Sequence, residues 1–82
     1  MMSREDVITI VNDFLIDEFE LEEDQLISDA KMKEDLDIES LDFVDIAVII
    51  EKEFGLKVAS EQMIKIKKLE DLYNFILDHS IN

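Results

Sequence analysis

The amino-acid sequence predicts an all-α fold: a small bundle of three main helices plus one short helix, with a long first loop. Three observations carry that expectation. Proline is absent and glycine occurs once, so strand and turn punctuation is missing. Apolar residues recur at spacings of three and four rather than alternating. The chain has 82 residues and reads as one domain, residues 1–82, and a domain of this size buries only about 60% of the surface its unfolded chain exposes. That argues against a deep private cavity.

The first helix is expected over about residues 4 to 18. Ser3 stands before it, Glu5 and Asp6 fall in the first turn where the helix dipole favours negative charge, and Val7, Val11, Phe14 and Leu15 form its apolar stripe. Beyond Phe19, to about residue 38, periodicity fades. Leu21, Leu26, Ile27, Met32, Leu36 and Ile38 are nevertheless too many apolar side chains for a free linker. This stretch reads as a long connection tied to the core, which signals either function or an unrecognised element. A second helix over about residues 41 to 54 has the strongest local pattern, and Gly55 supplies its C-terminal stop. Ser60, Gln62 and Met63 open a short third helix. Leu69, Leu72, Tyr73 and Ile76 mark a last helix over about residues 69 to 79. Its start lacks a side-chain cap, because Lys67 and Lys68 stand there.

Charge narrows the partners. Twenty-two acidic residues against eight basic ones leave a net charge of −14. Nucleic acid and anionic membrane surfaces are therefore poor partners, and basic protein surfaces are favoured. There is no cysteine, so no disulfide, thiolate nucleophile or zinc knuckle is available, which is compatible with a reducing cytoplasm. The longest apolar run, residues 46–50, is too short to span a membrane, and the N-terminal MMSREDV has no signal core. A cytoplasmic monomer is expected.

The second helix carries the functional question. Winding it at about 100° per residue places Phe43, Ile46, Ala47, Ile50 and Phe54 on one face, the core stripe. Leu41, Val44 and Val48 form a second stripe nearly opposite, flanked by Asp45 and Glu51. Apolar residues on both sides commonly mean a wholly buried helix. The acidic flanks favour a partly exposed strip that docks a basic partner, because unpartnered buried carboxylates are costly. Ser40, at the amino end, is by itself an N-cap. The same place also suits a covalently attached phosphate, near unpaired N–H groups and the positive end of the dipole, although Glu39 and Asp42 oppose it.

The segment AKMKEDLDIESLDFVDIAVIIEKEFGLKVASEQ resembles the acyl carrier proteins: a loop ending in Glu-Asp-Leu-Gly, an Asp-Ser-Leu signature, an acidic helix ending in Glu-Phe, and a short third helix. The resemblance implies that Ser40 carries 4′-phosphopantetheine through a phosphodiester. It also implies that Glu39, Leu41, Asp42, Val44, Asp45, Val48 and Glu51 dock partners. Those partners would be a phosphopantetheinyl transferase and acyl-transferring and ketosynthase-type enzymes with basic docking surfaces. The implied activity is that of a carrier rather than an enzyme, holding acyl groups as thioesters in fatty-acid or polyketide-type biosynthesis. Asp37 replaces the family's glycine, Glu39 its aspartate and Ala59 a frequent proline; Phe43 stands where a small polar residue is common, and Lys52 where an acid is. These departures suggest a specialised carrier.

Rivals are weaker. Asp35, Asp37 and Glu39 alternate as in an EF-hand loop, but Ser40 falls where its glycine belongs and Ile46 where its glutamate does. His79, the single histidine, has no second ligand. The basic cluster Lys65, Lys67 and Lys68 reads as a solubilising patch. An unmodified acidic interaction domain is the alternative from another class. A carrier for aminoacyl or peptidyl groups is the alternative within the class, although the Gly-Gly-x-Ser signature usual there is absent before Ser40.

Overall fold

A reciprocal capping box starts the chain's first helix. Ser3 Oγ accepts the Asp6 N–H at 3.1 Å, and the Asp6 carboxylate accepts the Ser3 N–H at 3.2 Å. The computed structural model describes residues 2–79 and contains four α-helices: α1 (Arg4–Phe19), α2 (Ser40–Phe54), α3 (Ser60–Ile64) and α4 (Leu69–His79). The expected all-α class and helix order are therefore present. α1 packs against α4, and α2 against α3.

The connection from α1 to α2 is folded onto the core, as its apolar content requires. It contains one 3₁₀ turn, Glu23–Gln25, which the fading periodicity did not reveal because three residues are too few to show a period. Leu26, Ala30, Met32, Leu36 and Ile38 are buried. Ile27 departs from expectation and is 60% exposed; the turn that sends Leu26 inward leaves its neighbour on the outside.

The same connection supplies what α4 lacks. The Leu69 N–H donates to the Ala30 carbonyl at 2.8 Å and the Glu70 N–H to the Ser28 carbonyl at 3.0 Å, while the Met32 N–H donates in return to the Lys67 carbonyl at 2.8 Å. Lys31 and Lys68 thereby face each other in an isolated antiparallel bridge. The Asp71 carboxylate accepts the Lys67 and Lys68 N–H groups at 3.1 and 3.0 Å. Amide groups that a capping side chain would ordinarily satisfy are thus satisfied from within the first turn and from a distant loop.

Val7, Val11 and Leu15 of α1, Ile46 and Ile50 of α2, and Leu69, Leu72 and Ile76 of α4 are fully buried together. Tyr73 is buried too, and its hydroxyl donates to Asn12 Oδ1 on α1. Burial raises the phenol above its ordinary pKa, partly offset by that hydrogen bond and by Arg4, whose guanidinium lies 5.9 Å from the ring centroid. At the end of α4, His79 stacks on Phe75, and its Nδ1–H donates to the Phe75 carbonyl at 2.9 Å. Among the described residues no helix is long and apolar enough to cross a membrane.

Among the described residues, three turns take a left-handed backbone. Gly55 (φ 66) ends α2, its N–H bonding the Glu51 carbonyl at 2.9 Å, as the sequence predicts. Glu20 (φ 55) ends α1 and Asp37 (φ 58) turns the chain into α2, both without the freedom of glycine. Asp37 is exposed, so its backbone conformation is the main constraint. Asp37→Gly is therefore expected to hold or raise stability, and Asp37→Ala to lower it by about 1 kcal/mol. Urea unfolding of the two variants measures this; a glycine variant less stable than the alanine variant would contradict it.

Candidate functional site

α2 begins one residue earlier than its apolar pattern indicates, and that changes the role of Ser40. The N-cap position belongs to Glu39, and Ser40 is the first helical residue. The Asp42 carboxylate reaches back to accept the Glu39 N–H at 2.9 Å. This corrects the reading of Ser40 as a cap: Glu39 holds that position, and the exposed Ser40 hydroxyl makes no hydrogen bond among the described residues.

The two faces of α2 separate as the spacing indicates. Ile46 and Ile50 are fully buried, while Leu41, Val44 and Val48 are 81%, 60% and 61% exposed. The wholly buried alternative is thereby excluded. Glu39, Asp45 and Glu51 are exposed, and Asp42 is half-buried by its capping role. The core stripe is narrower than its periodicity suggests, because Phe43, Ala47 and Phe54 are only half-buried. Phe43 and Ala47 reach the edge of the core, where it opens to a groove.

This open groove of about 830 Å³ is bounded by α2, α3 and the segments on either side of the backbone bridge. Ser40 lies on its lining, as do Val44 and Val48 of the exposed stripe, and Met63, Ile64 and Ile66 from α3 and its exit. Ile64 is itself 68% exposed. An outward serine beside an apolar groove suits a flexible covalent arm, which can extend toward a partner or fold back against the protein. The groove was not read from the sequence, because its walls come from segments as far apart as Lys31 and Lys68. Met63 reads as part of a helix start and Lys67 and Lys68 as part of a basic cluster, with nothing in the spacing to join them to α2.

The chain matches the family described as the phosphopantetheine attachment site over residues 10–76. An acyl carrier protein of Petrotoga mobilis is 32% identical over 75 residues, covering 92% of this chain and 88% of the relative. One of Thermotoga maritima is 34% identical over 76 residues, covering 93% and 94%. The solved acyl carrier protein of Enterococcus faecalis superposes with a TM-score of 0.81 at 28% identity, over 96% of this chain and 100% of that one. The chain belongs to the acyl carrier proteins: it is a carrier rather than an enzyme, and the cofactor of its family is phosphopantetheine. Membership implies dealings with a phosphopantetheinyl transferase and with enzymes of acyl synthesis.

The separation of the two faces predicts opposite mutational behaviour. Ile46→Ala is expected to cost about 2–5 kcal/mol of stability through the cavity it leaves. Val48→Thr, on the exposed stripe, should stay within about 0.5 kcal/mol of the parent. Denaturant titration of both checks this, and a Val48 variant as damaged as the Ile46 one would return the stripe to the core.

Proposed function

We propose that Ser40 is the attachment point of 4′-phosphopantetheine, and that the protein tethers acyl intermediates there and delivers them to fatty-acid or polyketide-type biosynthetic enzymes. The observation that supports this most is the exposed, unbonded hydroxyl of Ser40 in the first turn of α2, beside both the groove and the acidic-edged stripe. Of the other serines described, Ser3 is spent on its capping box, Ser28 lies in the α1–α2 connection, outside any helix and off the groove lining, and Ser60 opens a helix of five residues. When bound, the group supplies a thiol that holds acyl cargo as a thioester, so the chain's lack of cysteine is no obstacle.

The chain's own residues present and orient. The first turn of α2 holds Ser40 outward, and the dipole's positive end partly offsets the charge of a phosphodiester. Leu41, Val44 and Val48 offer a small apolar contact to a partner, ringed by Glu39, Asp42, Asp45 and Glu51. Such an interface is transient: the charges steer a basic surface and the short apolar chains set its angle. The cytoplasm is the setting that suits a chain of this composition.

Incubation with coenzyme A and a broad-specificity phosphopantetheinyl transferase is expected to add the mass of one phosphopantetheine, and Ser40→Ala to abolish the gain. No gain under conditions that modify a control carrier would leave an unmodified interaction domain instead. Binding to a basic partner enzyme should weaken up to about fivefold in Asp45→Asn or Glu51→Gln. It should also weaken with added salt, since exposed charges are screened beyond about 8 Å at physiological ionic strength. Affinity measured by calorimetry across a salt series tests the steering, and indifference to salt would sink it.

A further inference from the structure

The charge of the groove contradicts the charge of the protein. The chain as a whole is −14 with eight basic residues, yet five of those eight, Lys31, Lys33, Lys57, Lys67 and Lys68, line this one groove. Glu34 and Glu51 are the acids on the lining, so five lysines less two glutamates leave a local net charge of +3. In a chain with nearly three acids for each base, lysines are expected to find carboxylates. None of these five ammonium groups forms an ion pair or a hydrogen bond among the described residues.

The placement is also locally unfavourable. Lys31 and Lys68 oppose each other across an antiparallel bridge, and like charges directly opposite are destabilising. Three separate chain segments bring lysines here: the long connection, the stretch after α2 and the approach to α4. Between them lie apolar side chains, including Met32, Phe43, Val58 and Met63. The volume of about 830 Å³ falls within the range of about 300–1,000 Å³ typical of small-molecule sites. An apolar trough rimmed by unpaired cations matches an elongated, partly apolar ligand that carries negative charge.

Resting on the reading of Ser40 as the attachment point, we infer that the cargo folded into this groove is an acyl group bearing a distal anion, a carboxylate or its equivalent, which the lysine rim recognises. The arm itself offers a second source of negative charge, but a phosphodiester contributes one charge and is tied to Ser40, whereas five lysines from three chain segments line the trough. A hydrocarbon acyl chain would fill the apolar floor and leave the rim unpaired. The carrier would thus be selective for charged cargo.

The test loads the full chain, through acyl-coenzyme A and the same transferase, with either an octanoyl group or the monothioester of the eight-carbon dicarboxylic acid, and with the unacylated arm as reference. Intact mass verifies loading first. A chain that refuses the arm overturns the carrier reading and this inference with it, whereas a loaded chain indifferent to cargo charge overturns the inference alone. The dicarboxylic form is expected to melt about 4 °C or more above the octanoyl form at low salt, with the gain shrinking as salt is added. Lys33→Gln with Lys57→Gln should erase the gain, while Lys52→Gln with Lys65→Gln, outside the groove, should keep it. Side-chain NMR of the unmutated protein gives an independent reading: the groove lysines shift with the dicarboxylic cargo and Lys52 and Lys65 do not. Equal melting and equal shifts for the two cargoes would overturn the proposal, as would the full gain in the unacylated form, which would assign the lysines to the arm's phosphate.

Discussion

The backbone clasp between the long connection and the approach to α4 is the constraint on which the rest of this structure depends. Ala30 and Ser28 accept amide hydrogens from Leu69 and Glu70, and Lys67 accepts one from Met32. Helix starts leave amides unsatisfied, and loops leave both donors and acceptors unsatisfied. Here each deficit meets the other. Once clasped, the connection buries Leu26, Ala30, Met32, Leu36 and Ile38, which gives it the stability of an element without the form of one. The Ile38 N–H then bonds the Met32 carbonyl at 2.9 Å, and the chain turns at Asp37 to enter α2 with Ser40 facing outward. The position of the serine therefore follows from a contact about thirty residues away along the chain.

α2 serves two surfaces at once, and its cap explains how. Had Ser40 capped the helix, its oxygen would be committed to a backbone amide. Asp42 reaching back to Glu39 satisfies the amide of the residue before the helix, and the Ser40 hydroxyl is left to solvent. One turn further along, Ile46 faces the core while Val44 and Val48 face outward, so the same helix anchors the bundle and carries the exposed stripe. The cost is modest: exposed valines and leucines are ordinary on protein surfaces, and the surrounding acids keep the strip solvated.

Charge is distributed rather than merely abundant. The acids dominate α1, the edges of α2 and the 3₁₀ turn, whereas the lysines converge on the groove. Among the described residues, two of the three left-handed turns use Glu20 and Asp37 in place of glycine, which narrows the unfolded ensemble while leaving some strain in the folded one. Asp is among the better non-glycine residues for such a turn.

Helix order, the exposed stripe and the place of Ser40 were legible in the sequence because each is written in local periodicity, in spacings of three and four between Leu41 and Phe54 and in Gly55 after them. The start of α2, the cap position of Glu39 and the satisfaction of α4 were not, because a helix can begin without a capping serine and a distant carbonyl can serve its first amides, and pattern does not show either. The 3₁₀ turn was too short to leave a period. The groove was invisible for a simpler reason: Lys31, Lys33, Lys57, Lys67 and Lys68 are scattered in sequence among acids, and only folding gathers them. By themselves, then, local spacing and composition determined an acidic helical bundle with a serine at the head of its second helix, and the carrier reading came from the resemblance of that segment to a known family. The tertiary structure decided that this serine borders a lysine-rimmed trough, since electrostatic potential depends on distances in space that hydrogen bonds between remote segments create.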